Sequence, residues 1–229
     1  MTSIAKRVKL NKATAHRLLA TLEARGYVER CTSGRLYRLG VRAFELGLYF
    51  QNQLDIRRIA FPYLTEMVKI TDETAFLCIQ DGDEAICLDR VESDQNIQIF
   101  TLRIGGRQPL HCGAAPRALL PSLNEEALIS YVHRTGLPKF TPRTIDKLDR
   151  LREDIALTHR QGYVVSNEDV TSGVAAVGAP VRDHSGKIIA AISLSGLAAQ
   201  YKPDRIKMLA SIISDNAKKI SRQMGYQED

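Results

Sequence analysis

No stretch of 18 apolar residues occurs, which excludes a membrane-spanning helix of ordinary length. The first residues, Met1 to Leu10, are polar and basic and have no apolar core, so they do not read as a secretory signal. Cysteine is scarce. Cys31, Cys78, Cys87 and Cys112 form no CxxC pair, which argues against a zinc ribbon and a disulfide framework and suits a reducing cytoplasm. The five histidines share no metal-ligand spacing, so no metal is expected. There is no HExxH, GxSxG or GxGxxG, and Gly186-Lys187 lacks both the upstream glycine (Val181 stands there) and a following Ser or Thr. No cofactor and no catalytic residues are expected. His111-Cys112, read as strand neighbours, would point to opposite faces and serve the core or a pocket wall rather than act as a nucleophile pair. Glu125-Glu126 reads as the acidic first turn of a helix. Asp81/Asp83/Glu84 and Asp146/Asp149/Glu153/Asp154 read as a solvated turn and a solvated helix face.

What is present is an uneven charge. Residues 1–40 hold nine Lys and Arg against two acids, Glu23 and Glu29, a net +7. Residues 41–229 hold 23 Lys and Arg against 24 acids, a net −1. A basic head on a neutral body points to a polyanion partner for the head alone, although a solvated basic tail would carry the same excess. The 229 residues suit a small domain plus a larger one, and 44% hydrophobic content is enough for a buried core.

Within the head, Asn11 is placed as a helix N-cap. Ala15, Leu18, Leu19 and Leu22 follow at helical spacing on one face. Asn11, Thr14, Arg17 and Thr21 lie on another, flanked by Lys12 and His16. Gly26 ends the helix, and residues 3–8 read as the end of a short helix before it. Tyr27–Arg30 and Leu36–Leu39 read as a hairpin whose tip carries Arg35. Helix, turn, helix and basic hairpin is the order of a winged helix-turn-helix. Such a helix fits the major groove, and nearby cations take phosphates. The expected DNA contacts are Asn11, Lys12, Thr14, His16, Arg17 and Arg35; a plain exposed helix face is the alternative for the helical ones. A complete module has a further helix in front. Here the chain begins inside the second helix, which reads as a late start or a shortened chain, and a head that is less stable or packs its Leu18/Leu19/Leu22 face on a neighbour.

Residues 41–58 read as a linker helix whose Val41, Phe44, Leu48, Phe50 and Ile56 exceed what a free linker needs, so a dimer interface is expected. In the body, residues 59–229, strands are expected at Thr74–Ile79, Glu84–Asp89, near Ile97–Leu102, Val174–Val181 and Ile188–Ser195. Helices are expected near Arg117–Leu120, Glu125–Val132, Thr144–Gln161 and from Pro203 to about Met224. The fold class is α+β around an antiparallel-rich sheet. Ser193 and Ser195 alternate with Ile192 and Leu194, so both hydroxyls leave one face, and Val174, Ala176 and Gly178 share a face of the preceding strand. This reads as a concave polar floor for a ligand carboxylate, with hydroxyls bonded to neighbouring backbone as the alternative. Amides near Ala114 and Ala115 would be further donors if they begin a helix.

Residues 4–28, from Ile4-Ala5-Lys6-Arg7 through Ala15-His16-Arg17-Leu18-Leu19 to Gly26-Tyr27-Val28, resemble the DNA-binding domain of the IclR-type family of bacterial regulators. Tyr37-Arg38-Leu39-Gly40, Pro109-Leu110-His111, Gly162-Tyr163-Val164-Val165-Ser166 and Ala191-Ile192-Ser193-Leu194-Ser195-Gly196 follow in the family's order. The resemblance implies a GAF-like α/β domain that binds a small organic ligand, often a carboxylate. It also implies a dimer or dimer of dimers, and operator binding or polymerase recruitment altered by the ligand. It places Ala114, Ala115, Ser166, Val174, Ala176, Ser193 and Ser195 in the effector site. Ala176 stands where well-known members carry cysteine, Pro116 where glycine is usual and Arg117 where lysine is usual. These departures favour a larger or partly apolar acid over a very small polar one. The competing reading is a free-standing sensor or enzyme on the same body.

Overall fold

The computed structural model describes residues 2–31, 36–53, 55–92 and 102–227, and the chain divides into two compact units, Met1–Asp55 and Ile56–Asp229.

In the smaller unit, α1 (Thr2–Arg7) and α2 (Lys12–Ala24) are joined by a turn in which Lys9 adopts a φ of 52° and Leu10 N–H donates to Ala5 O at 3.0 Å. Asn11 caps α2 as expected, its Oδ1 accepting from Thr14 N–H at 2.8 Å. Gly26, at φ 75°, ends the turn after α2. β1 (Val28–Arg30) pairs antiparallel with β2 (Tyr37–Leu39), and Gly40 then closes on Gly26, where a Cβ would lie 2.2 Å from the Gly26 carbonyl oxygen. That contact starts α3 (Val41–Gln53). Ala5, Ala15 and Leu19 are buried, whereas Leu18 and Leu22 remain 49% and 41% exposed, so part of the expected apolar face is uncovered. Val41, Phe44 and Leu46 on α3 are also exposed within this unit.

The larger unit opens on α4 (Asp55–Thr71), whose buried face is Ile56, Ala60, Leu64, Met67 and Val68. The sheet is six-stranded and wholly antiparallel, in the order β5-β4-β3-β8-β7-β6. Its strands are β3 (Thr74–Asp81), β4 (Glu84–Val91), β5 (Arg107–Pro109), β6 (Val164–Asn167), β7 (Val174–Arg182) and β8 (Ile188–Leu197). Between β5 and β6 run α5 (Ala114–Leu119), α6 (Glu125–Thr135) and α7 (Leu148–Gln161), and α8 (Pro203–Gln223) closes the fold. α6 is capped by Asn124 and stopped by Gly136 at φ 66°. α8 buries Leu209, Ala210, Ile213, Ala217 and Ile220. The fold is thus a winged helix-turn-helix followed by an α+β domain on an antiparallel sheet.

Several local expectations are corrected. The strand expected near Ile97–Leu102 lies outside the described residues, apart from Leu102, which is not in a strand; the unanticipated β5 pairs with the edge of β4 away from β3. α7 begins at Leu148 rather than Thr144, because the Thr144 hydroxyl accepts from Phe140 and Thr141 N–H (3.0 and 2.9 Å) and donates to Asp169 O (2.6 Å). His111-Cys112 sits in a turn after β5, not on a strand. The expected core role of His111 nevertheless fits: it is fully buried, with Nδ1 2.8 Å from Tyr131 Oη and Nε2 3.0 Å from Pro138 O. Burial pushes its pKa below 6.5, partly opposed by the Pro138 carbonyl and Asp169 and reinforced by Arg117.

Candidate effector cavity and DNA-facing helix

The cavity follows from how β7, β8 and α5 approach one another. Antiparallel register sets Ala176 beside Ser195 and Gly178 beside Ser193, while Ser166 of β6 lies beside Ala176 and Phe76 of β3 beside Ser193. One row across the sheet therefore reads Ser166-Ala176-Ser195 and the next Gly178-Ser193-Phe76, two residues or about 7 Å apart along the strands. α5 rests on Gly178, where a Cβ would stand 2.7 Å from the carbonyl carbon and oxygen of Ala114. Only a glycine allows this approach, and it puts the first turn of α5 over the polar floor.

The result is a small cavity between α5 and the β7–β8 floor. All seven residues read from the sequence line it: Ala114, Ala115, Ser166, Val174, Ala176, Ser193 and Ser195. Phe76, Cys78, Leu102, Gln108, Asp169 and Thr171 line it too and were not anticipated.

The polar groups are unequal. Ser195 Oγ donates to Ala175 O at 3.2 Å, which is the backbone-bonded alternative for that hydroxyl. Ser166 Oγ donates to Asp169 Oδ1. Ser193 makes no side-chain hydrogen bond among the described residues, so its proton is available to a guest. α5 supplies two more donors. The Ala114 and Ala115 amides precede the first intrahelical bond, Arg117 N–H to Gly113 O at 3.1 Å, and Pro116 has no N–H to give.

A buried ion cluster holds this wall in place. Arg117, on α5, donates through Nε to Asp154 Oδ2 at 2.9 Å and through Nη2 to Asp154 Oδ1, and through Nη1 to Asp169 Oδ2 at 2.9 Å and Val165 O at 3.2 Å. Gly113 N–H donates to the same Asp169 oxygen at 3.2 Å. Burial by itself would lower the Arg117 pKa, but the hydrogen bonds and charges of Asp154 and Asp169 outweigh it and hold it above its ordinary value. Asp154 is thus not part of a solvated helix face, because it is the partner of a buried guanidinium on the neighbouring helix. The one local hint of Asp169 was its position three residues after Ser166, in a short polar loop.

In the smaller unit, Asn11, Lys12, His16 and Arg17 are exposed on α2 and Thr14 is half-buried. Arg35 lies outside the described residues. Arg30 pairs with Glu23 and Arg38 with Glu29. Both acids of the head are therefore occupied by hairpin arginines. Among the described residues, Lys6, Arg7, Lys9, Lys12, Arg17 and Arg25 are left without an ion pair, so the unpaired charge of the head lies on α1, α2 and the turns that follow them.

Comparison with known proteins agrees with both units. Residues 49–222 match the family profile described as bacterial transcriptional regulator IclR C-terminal, and residues 1–31 match the IclR helix-turn-helix domain. The HTH-type transcriptional regulator KipR of Bacillus subtilis (strain 168) is 35% identical over 215 residues, covering 94% of this chain and 85% of that protein. The crystal structure of Thermotoga maritima IclR superposes with a TM-score of 0.78 at 31% identity, covering 98% of this chain and 90% of that one. An IclR homologue from Microbacterium hydrocarbonoxydans, solved with 4-hydroxybenzoate, gives a TM-score of 0.80 at 25% identity, covering 97% of this chain and 90% of that one. The relatives are named regulators and repressors rather than enzymes. The chain belongs to the IclR family of bacterial transcriptional regulators.

Proposed function

We propose that the chain binds an operator duplex through α2 and the β1–β2 hairpin, and that a small organic hydroxy acid held in the cavity modulates that binding. The observation that carries the second half is the unequal state of the hydroxyls. Ser193 and the amides opening α5 have protons to give, which suits a carboxylate. Ser166 and Ser195 have spent theirs and only accept, which suits a ligand hydroxyl. The two rows are about 7 Å apart along the strands, a span a single ring bridges. Phe76, Leu102, Val174 and Ala176 supply apolar walls that a two-carbon acid would leave uncovered. The relative solved with 4-hydroxybenzoate supports the same ligand class.

For the first half, the exposed, unpaired cations of α1 and α2 suit phosphate contact, and the exposure of Asn11, His16 and Arg17 beside half-buried Thr14 supports a base-reading role for this face. The exposed apolar residues of α3, Val41, Phe44 and Leu46, support assembly as a homo-oligomer, a dimer or a dimer of dimers. With 1–40 as the DNA-binding head, 41–58 as the linker and 59–229 as the effector domain, the protein works as a ligand-gated regulator in the cytoplasm.

The test is a thermal-shift screen with 4-hydroxybenzoate, benzoate and small dicarboxylates. A ligand at 100 times its Kd adds about 2.7 kcal/mol, a rise of roughly 5–10 °C in Tm for a domain of this size. Ser193→Ala is expected to weaken the active acid by about tenfold or more, the loss of a charge-assisted hydrogen bond. A benzoate shift equal to that of its hydroxylated analogue would defeat the hydroxy-acid assignment, and no shift with any acid would remove the ligand. Operator binding, followed by fluorescence anisotropy, should weaken steeply with salt, and Lys12→Ala should flatten that slope by about one unit.

A further inference from the structure

Two of the four cysteines meet inside the sheet. Cys78 of β3 and Cys87 of β4 are direct cross-strand partners, and the register shifts between Leu77 and Cys78. Cys87 gives its N–H to Gly106 O (3.0 Å) and takes Gly105 N–H on its carbonyl (2.8 Å), so its backbone bonds point away from β3. The pair therefore occupies the non-hydrogen-bonded position of an antiparallel ladder, where Cα atoms approach to about 4.5 Å and side chains are closest. That separation falls inside the range a disulfide spans. The Cys87 thiol donates to Asp89 O at 3.3 Å. The neighbouring Cys87, with burial, pushes the Cys78 thiol well up, and Cys78 pulls Cys87 down against its own burial.

Cys78 lines the cavity and Cys87 does not, so a small solute entering the cavity meets Cys78 first. Cys112 differs. Its sulfur is held by Pro109 O (3.6 Å) and Gln108 Nε2 (3.9 Å), and burial pushes its pKa up to about 12. Cys31 belongs to the smaller unit.

We infer that Cys78 and Cys87 form a peroxide-reactive dithiol in the wall of the cavity, closing reversibly into a cross-strand disulfide. One sulfur of the pair, as thiolate, attacks hydrogen peroxide. The O–O bond breaks, a sulfenic acid forms, and the departing hydroxide leaves as water with the proton that the thiol gave up. The second sulfur attacks the sulfenic sulfur, the S–S bond forms and the S–O bond breaks. The oxygen leaves as a second water carrying the second thiol proton. Two thiols and one peroxide thus give one disulfide and two waters. Closure draws the Cys78 sulfur toward Cys87 and changes the cavity wall, so oxidation and cavity shape are linked. Disulfide formation itself does not depend on the nature of the effector.

The test uses the full-length, reduced chain exposed to a small molar excess of hydrogen peroxide, then denatured with N-ethylmaleimide and digested with trypsin. No Lys or Arg lies between Lys69 and Arg90, so both cysteines fall in one peptide, residues 70–90. The expected product is this peptide two hydrogens lighter and free of maleimide, with Cys31 and Cys112 labelled, and dithiothreitol restores double labelling. In Cys87→Ser the partner is gone, and Cys78 is expected to trap dimedone as a sulfenic acid. Full maleimide labelling of 70–90 after peroxide would overturn the inference, as would a disulfide to Cys112 or Cys31. Formation of the same linkage at the same rate in urea would show that the folded wall contributes nothing, and would overturn it equally.

Discussion

Arg117→Met removes the cation at the centre of the cavity wall. The side chain is 7% exposed and its partners Asp154 and Asp169 are 14% and 4% exposed, so water cannot replace it well. Asp169 would keep only Ser166 and the Gly113 amide. Asp154 would lose both of its bonds to the guanidinium. Breaking a buried ion pair from one side costs about 3–5 kcal/mol, because the remaining charge has no partner. At roughly 2–4 °C per kcal/mol for a domain of this size, the Tm of the larger unit should fall by roughly 6–20 °C. Differential scanning calorimetry on the full chain reads that unit's transition directly. Adding Asp169→Asn to Arg117→Met should recover part of the loss by removing one stranded charge. Arg117→Lys keeps the charge but cannot make the two-pronged bond to Asp154, so it should fall between wild type and Arg117→Met. A loss below about 1 kcal/mol for Arg117→Met, the size of a surface pair, would refute the reasoning. So would a double variant less stable than the single one.

Gly178→Val should separate α5 from β7, because the new Cβ would meet the Ala114 backbone at 2.7 Å and backbone cannot rotate aside. Urea unfolding should report a loss of about 1–3 kcal/mol, and any ligand-induced rise in Tm should disappear with it. His111 gives a pH dependence whose sign is fixed by burial. The folded pKa lies below 6.5, so the unfolded chain takes up the proton first as pH falls. Stability contributed by the neutral ring is present above that pH and is lost below it, until the folded ring protonates in turn. Urea midpoints at about pH 7.5 and 5.5 should differ more for the wild type than for His111→Gln.

How far these features were legible in the sequence depended on distance along the chain. The Asn11 cap, the α2 periodicity and the alternation of Ser193 and Ser195 are local, and each followed from a few adjacent residues. The seven cavity residues were found because β7 and β8 form a hairpin and the family order placed Ser166 and Ala114 beside them. The Arg117 cluster was missed because its members lie on two helices and a loop, and Asp154 read alone is an ordinary acid on a polar helix. Thr144 resembled a helix start until its hydroxyl proved to be used by the loop carrying Asp169. β5 is three residues, Arg-Gln-Pro, with no strand propensity of its own, and it exists because β4 offers it an edge. Phe76 and Cys78 entered the cavity through the β3–β8 pairing, which no local pattern announces.

That β3–β8 seam also governs how the protein is made. Residues 74–78 are synthesised early, yet their ladder partners, 191–195, emerge near the end of translation. Until then one edge of β3 stays open, and Phe76, Leu77 and Cys78 have no sheet to lie against on that side. Pairings so distant in sequence form slowly and leave apolar surface waiting. A ribosome that stops before Ser195 releases a chain that has α1, α2 and the hairpin but lacks the strand that closes β3. On the proposed function, such a fragment keeps the cations of α1 and α2 but cannot form the cavity, so truncation late in the gene should remove the ligand response before it removes DNA binding.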